Sequence, residues 1–289
     1  MVLYVILAGI ILINCAFIVT FVKDLKAHPG ILKQEPGNPF IMAFTQFITF
    51  FLSTLGISDF AIGAALYPKM KWVTAKDLPG TMNAAFVLPV LAMSLAYING
   101  IEVGLMTLFI AIAAQVIGAY LSPRIIVKLP ERTIKFFVMV GLLIAGLVIL
   151  ASKFGLMPVG GTATSLSGVK LVILGVAMFV FGALNNIGIG SYALTMATVY
   201  ALGLDAKVAF PIMMGACAFS VPIGSIEFIK YGAYSRKITL MSATAGVVGV
   251  FVAVFVMKGM DIQALQWVVI GVILYSAATM AKELFGKKV

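Results

Sequence analysis

Two short polar stretches inside long apolar runs carry the residue types that could do chemistry. Gly56-Ile57-Ser58-Asp59-Phe60-Ala61-Ile62 returns 132 residues later as the near copy Gly188-Ile189-Gly190-Ser191-Tyr192-Ala193-Leu194. In lipid, backbone groups freed by such an interruption cost several kcal/mol each unless protein or cavity water satisfies them. A helix that restarts after the break turns free N–H groups and its positive dipole end toward whatever lies ahead, which is an anion site built from backbone. No lysine or arginine falls in the middle of an apolar run. An anion at that depth is therefore expected to meet amide hydrogens and neutral side chains, the candidates being Gly56, Ile57, Ser58, Asn83, Asn185, Asn186, Gly188, Gly190, Ser191, Tyr192 and Thr195. Asp59 is the one carboxylate placed at membrane depth. It reads equally as a proton carrier and as the cap of a helix starting at Phe60.

The elements that must position these residues are apolar helices. The chain has 289 residues, 62% of them hydrophobic and 10% charged, with a mean hydropathy of +1.14, far from the composition of a soluble domain. The net charge of +10 sits in short loops without an aromatic-interleaved patch. Lipid headgroups and topology account for it, and nucleic acid is excluded as a partner. Cys15, Cys217 and His28 form no metal or disulfide pattern, and no GxSxG, HExxH or nucleotide-binding loop occurs. The expectation is a protein that is neither an enzyme nor a primary pump and that uses no cofactor or metal.

Residues 2 to 22 read as a retained first helix, followed by a polar loop to Asn38. Repeat 1 is expected over 39–152: apolar runs at 40–55 and 60–67 around the first break, then helices near 78–98, 101–121 and 134–152. A linker at 153–168 leads to repeat 2, at 169–289, with runs at 169–185 and 192–202 around the second break and helices near 208–229, 238–257 and 264–281. Ala75-Lys76 with Ala206-Lys207, Pro79 with Pro211, Met82 with Met214 and Gly100 with Gly232 support the duplication.

Charge relates the two halves. If each broken run goes in and comes back as a helical hairpin, four of the 20 basic residues, Lys153, Lys170, Lys207 and Lys258, fall on one face and 16 on the other. If each broken run crosses once, the division is about 11 to 9, which carries no orientation signal. The first arrangement predicts an all-α polytopic membrane protein of two inverted repeats, each a broken hairpin plus three transmembrane helices, with one extra N-terminal helix and a cytoplasmic C-terminus. Glu102 and Glu227, near loop ends, are expected to be solvated or paired. The aromatic residues, Trp267 included, are expected in packing and interfacial belts.

Three stretches give the chain a resemblance to the sulfite exporter TauE/SafE family, also called the toluene sulfonate uptake permeases. They are Gly56 to Pro68, similar to the family's glycine-rich stretch followed by proline; Asp205-Ala206-Lys207-Val208-Ala209, like its short lysine-valine-alanine entry to the next helix; and Gly118-Ala119-Tyr120 through Lys128-Leu129-Pro130-Glu131, like its small-residue helix end, basic loop and Leu-Pro turn. The likeness covers about residues 40 to 284 and leaves the first helix outside. The chain departs from the family pattern in having Gly-Ile-Ser-Asp in place of a glycine cluster, and Val199-Tyr200 where a proline is expected. The resemblance implies a secondary transporter of the inner, cytoplasmic membrane that moves a sulfur oxyanion or organosulfonate such as sulfite, sulfoacetate or a taurine-related anion. The partners expected are that small anion and the lipid bilayer, with monomer and homodimer both open. An anion channel or uniporter and a non-transporting membrane assembly subunit stand as alternatives.

Overall fold

A computed structural model of the chain describes residues 2–55, 57–97, 103–156 and 161–256, with isolated positions between 274 and 285. Gly56, Glu102, Trp267 and nearly all of the helix expected near 264–281 lie outside the described residues. Apart from one isolated bridge between Ala163 and Leu204, the described residues are helices and turns. Six helical stretches among them are long and apolar enough to cross a bilayer, which makes the chain a multi-pass membrane protein.

The first helix, α1 (Val2–Ala27), runs past the expected end at residue 22, and the following loop contains a short helix, α2 (Ile31–Gln34). Next come α3 (Pro39–Thr54) and α4 (Asp59–Lys69) around the first break, then α5 (Leu78–Tyr97), α6 (Leu105–Leu121), α7 (Pro123–Ile126) and α8 (Glu131–Lys153). The second half holds α9 (Gly168–Ile187), α10 (Ser191–Ala201), α11 (Ala209–Lys230), α12 (Arg236–Met241), a π-turn at Ser242–Gly246 and α13 (Val247–Val256). The helix α8 stands where a crossing near 134–152 is expected, and α9, expected as one leg of a hairpin, is itself one of the six stretches.

Each broken run folds back on itself. In the second, Lys170 Nζ at the start of α9 donates to Leu202 O just after α10, at 3.0 Å, and the Thr195 hydroxyl meets Met178 Sδ at 3.6 Å. Residues 17 apart on one straight helix would stand about 25 Å apart. In the first, the Tyr67 hydroxyl of α4 donates to Gln46 Oε1 of α3 at 2.9 Å, and Gly37 lies against Trp72, so the two ends of that hairpin are together as well.

The two hairpins share a backbone pattern in register. Ile57 N–H bonds Leu52 O (3.1 Å) as Ile189 N–H bonds Leu184 O (3.0 Å). After the short helix, Met70, Lys71 and Trp72 N–H bond Leu66, Pro68 and Tyr67 O, just as Leu202, Gly203 and Leu204 N–H bond Thr198, Tyr200 and Val199 O. Packing is reciprocal too: α6 of the first half lies on α9, and α13 of the second half lies on α3. Both contacts use glycines that bring backbones together: a Cβ on Gly118 or Gly182 would press on Phe179 O or Gln115 O, and one on Gly249 on Phe47 O.

The helices α5 and α11 form the centre. In each, 83% of the apolar window is buried, against 22% for α1 and α9, which face outward. At 22 residues α11 is about 33 Å long and measures the molecule from end to end. It begins just after the mouth of the second hairpin, where the linker covers that mouth: Gly161 N–H bonds Leu204 O, Asp205 N–H bonds Ala163 O and Gly104 N–H bonds Thr164 O. It ends near the mouth of the first hairpin, at a cluster of charged groups.

At that end the Asp24 carboxylate of α1 holds Arg236 through Nε (2.7 Å) and Nη2 (3.2 Å) and accepts from the Tyr234 hydroxyl. Glu35 accepts from the Ser235 hydroxyl and from the N–H groups of Arg236 and Lys237, so a carboxylate closes the N-terminus of α12. Burial, then the Asp24 carboxylate, hold the Tyr234 phenol well above its ordinary range, so it remains a donor. Arg236 and Asp24 are buried to about nine-tenths. Asp24→Asn is expected to strand the guanidinium at a cost of about 3 kcal/mol, read as a thermal midpoint in detergent lower by about 6–12 °C; an unchanged midpoint would mean that the pair contributes nothing.

Candidate functional site

The breaks meet beside the middle of α5. The Phe60 ring packs edge-on against Phe86 with centroids 4.9 Å apart. A Cβ added at Gly190 would lie 3.4 Å from Phe60 Cβ and 3.6 Å from Ser58 Oγ, so the second break faces the first across van der Waals distance. The two differ in how their helices open. Ser58, not Asp59, is the N-cap of α4: Ser58 Oγ accepts from Ala61 N–H at 3.3 Å, and Asp59, in the first helical position, accepts from Phe60 N–H through Oδ1 at 2.8 Å. The first opening is therefore already met in part by its own side chains. The opening of α10 has Gly190 at its cap with no side-chain bond, although Asn185 Oδ1 reaches Ser191 N–H at 3.2 Å.

Asp59 is buried with 2% exposure, and its Oδ2 has no partner within hydrogen-bond distance among the described residues. A full carboxylate oxygen without a donor at this depth is costly. Ile57 is buried beside it. On the second break Gly188 adopts φ 107, the left-handed turn that lets α9 end, and a Cβ there would lie 3.0 Å from Met82 Cε and 3.2 Å from Val138 Cγ2.

The asparagines divide. Asn83 Nδ2 reaches Asn186 O (3.3 Å) and Pro79 O (2.9 Å), and Asn185 Nδ2 reaches Asn83 Oδ1 (3.4 Å), which ties α5 to the end of α9. Asn186 turns away to Ala119 O (2.6 Å) and Ser122 Oγ (2.9 Å), so it anchors α9 to the end of α6 and does not face the first break. Thr195 spends its hydroxyl on Met178 within its own hairpin, and Tyr192 reaches toward Met214 Sδ at 4.0 Å. Of the residues expected to share a site, Ser58, Asp59 and the 190–191 pair are brought together, and Asn186 and Thr195 are engaged elsewhere.

Sequence reasoning missed a polar cluster behind Ser191. Its Oγ lies 3.3 Å from Cys217 Sγ, and Gln115 Nε2 lies 3.3 Å from that sulfur and 3.0 Å from Ser220 Oγ. Gln115 is fully buried in the middle of a largely apolar helix, a signal that was present in the sequence. Glu227, also buried, pairs with Lys230 at 2.6 Å and Arg124 at 3.9 Å, as expected of an interfacial carboxylate.

A cleft of about 850 Å³ opens at the Asp24 end between α4, α8 and the segment around Ser235. Its walls include Ala64, Ala65 and Val138. Val138 touches Gly188, and Ala64 lies about 8 Å along α4 from Asp59. The cleft therefore runs from one end of the molecule toward the facing breaks, while the linker covers the hairpin mouth at the other end. Three acids (Glu35, Asp77, Glu131) and three lysines (Lys69, Lys71, Lys135) line it, so its charges balance instead of forming a uniformly basic funnel.

Fold and site together define a multi-pass helical membrane protein with two facing helix breaks and a cleft at one end whose wall reaches Val138, next to Gly188. Comparison with protein-family models, with curated proteins and with solved structures finds no match to this chain.

Proposed function

We propose that the chain is a secondary transporter that moves a small anion by alternating access, and that its halves are inverted copies whose hairpins enter from opposite sides. The observation that carries this reading is the approach of Gly190 to Ser58 and Phe60. Two breaks costly in lipid meet each other, and one of them opens a helix without a side-chain cap. Shared backbone bonds at matching positions and the reciprocal packing of α6 on α9 and α13 on α3 support the duplication. One mouth covered and the other reached by a cleft is the arrangement alternating gates require.

The anion would meet the α10 opening and the Ser191 hydroxyl, with Asp59 carrying the coupling charge in the opposing break. The likeness to the TauE/SafE family directs the substrate to sulfur oxyanions and organosulfonates, and the charge division puts the Asp24 end on the cytoplasmic side of the cell membrane. The test is a thermal-shift screen of purified protein against sulfite, sulfate, thiosulfate, taurine, sulfoacetate and short carboxylates. A sulfur anion at a hundred times its dissociation constant is expected to stabilise by about 2.7 kcal/mol. Stabilisation by carboxylates alone would overturn the sulfur assignment, and none by any of these anions would overturn anion binding.

A further inference from the structure

Lys71 is the one non-glycine residue among those described with a left-handed backbone, at φ 56. It closes α4 in the turn whose three N–H bonds recur after α10, and there the corresponding residue is Gly203, at φ 87. A side chain in this conformation is strained relative to glycine, so the first copy keeps a lysine where the same turn elsewhere in the chain uses glycine. The surroundings of the two turns differ. Gly203 lies under the linker, where Gly161 packs on its carbonyl. Lys71 is exposed and lines the 850 Å³ cleft.

The other charged groups of that cleft have contacts of their own, the carboxylates of Glu35 and Asp77 being held by uncharged donors. Lys135 pairs with Glu131 at 3.2 Å, Glu35 is bound to the start of α12, Asp77 accepts from the Thr74 hydroxyl at 2.8 Å, and Lys69 has an interaction of its own. Lys71 makes no ion pair among the described residues.

We propose that Lys71 recruits small oxyanions to the lip of the cleft, as a positioning residue that raises their concentration ahead of the facing breaks. The inference rests on the anion-transport reading and names the residue that admits the substrate. An unpaired ammonium at a partly enclosed mouth attracts anions over about 8 Å at physiological salt, and further when salt is low. The strained backbone fixes where the side chain leaves the turn.

Ala75 is half-buried in the wall of the same cleft and takes a reporter thiol. In a Cys15→Ala background, which leaves the buried Cys217, Ala75→Cys is labelled with an anionic or a neutral thiosulfonate. At low ionic strength Lys71→Gln is expected to slow the anionic reagent about threefold and leave the neutral one unchanged, with the difference vanishing in about 1 M salt. Lys71→Arg is expected to keep the rate found with Lys71. Lys71→Gly is expected to match the Gln variant in labelling while raising the thermal midpoint by about 2–4 °C. Equal anionic labelling with Lys71 and with Lys71→Gln, or a parallel loss of neutral labelling, overturns the proposal. A Lys71→Gly midpoint at or below wild type overturns the claim that the turn asks for glycine. In proteoliposomes, sulfite or sulfoacetate uptake by Lys71→Gln is expected to show a KM about threefold higher at an unchanged kcat. If wild-type protein moves neither anion while the anionic labelling result stands, the transport reading fails and the anion-recruiting role of Lys71 survives.

Discussion

Replacing Asp59 by Asn is expected to end uphill anion movement while downhill exchange continues. A proton gradient of one pH unit carries about 1.36 kcal/mol, enough at one proton per anion for roughly tenfold accumulation. In proteoliposomes with such a gradient, wild-type protein is expected to approach that ratio and Asp59→Asn to stay at equal concentrations on the two sides. The physical basis is the pair of oxygens on one buried side chain. Oδ1 is spent on Phe60 N–H, whereas Oδ2 meets no donor within hydrogen-bond distance among the described residues and is open to a proton. Asn keeps the Oδ1 bond and the shape, so the start of α4 survives and only the exchangeable proton is lost. Gradient-driven accumulation by a folded Asp59→Asn protein would remove Asp59 from coupling and leave it a helix-opening residue.

Gly182→Ala is expected to abolish the packing of α9 on α6, with a loss of about 3 kcal/mol or more and a sharp fall in folded protein recovered from membranes. The added Cβ would stand inside the 3.0 Å that real Cβ atoms keep, against Gln115 O and near Ala119 N, and neither backbone atom can swing aside as a flexible side chain would. Gly118→Ala, facing Phe179 O across the same contact, is expected to behave alike. Gly190→Ala supplies the contrast: its Cβ finds ordinary contacts of 3.4 Å and more, and its backbone is not left-handed, so the fold is expected to tolerate it. Normal yield and thermal midpoint for Gly182→Ala would show that the helices separate without cost, and the reciprocal packing would lose its role in holding the halves together.

The sequence by itself determined the membrane class, the positions of the helices and the breaks. Apolar runs in lipid have few options besides helix, and glycine with hydroxyl residues inside such a run marks where one ends and another begins. The expected helices at 78–98, 208–229 and 238–257 accordingly stand at Leu78–Tyr97, Ala209–Lys230 and Arg236–Val256. The 132-residue spacing of the breaks also reappears as matching backbone bonds around Ile57 and Ile189. Tertiary structure alone decided which polar groups face each other. Ser58 and Asp59 satisfy their own helix, while Gly190 has no side chain to do so. Asn186 and Thr195 belong by sequence to the second break, yet their hydrogen bonds go to α6 and to Met178, whereas Cys217 of α11 stands next to Ser191 with Gln115 of α6 behind it. Local pattern records where a backbone group is freed; which partner reaches it depends on how helices more than 60 residues apart rotate and pack, and no short stretch of sequence encodes that rotation.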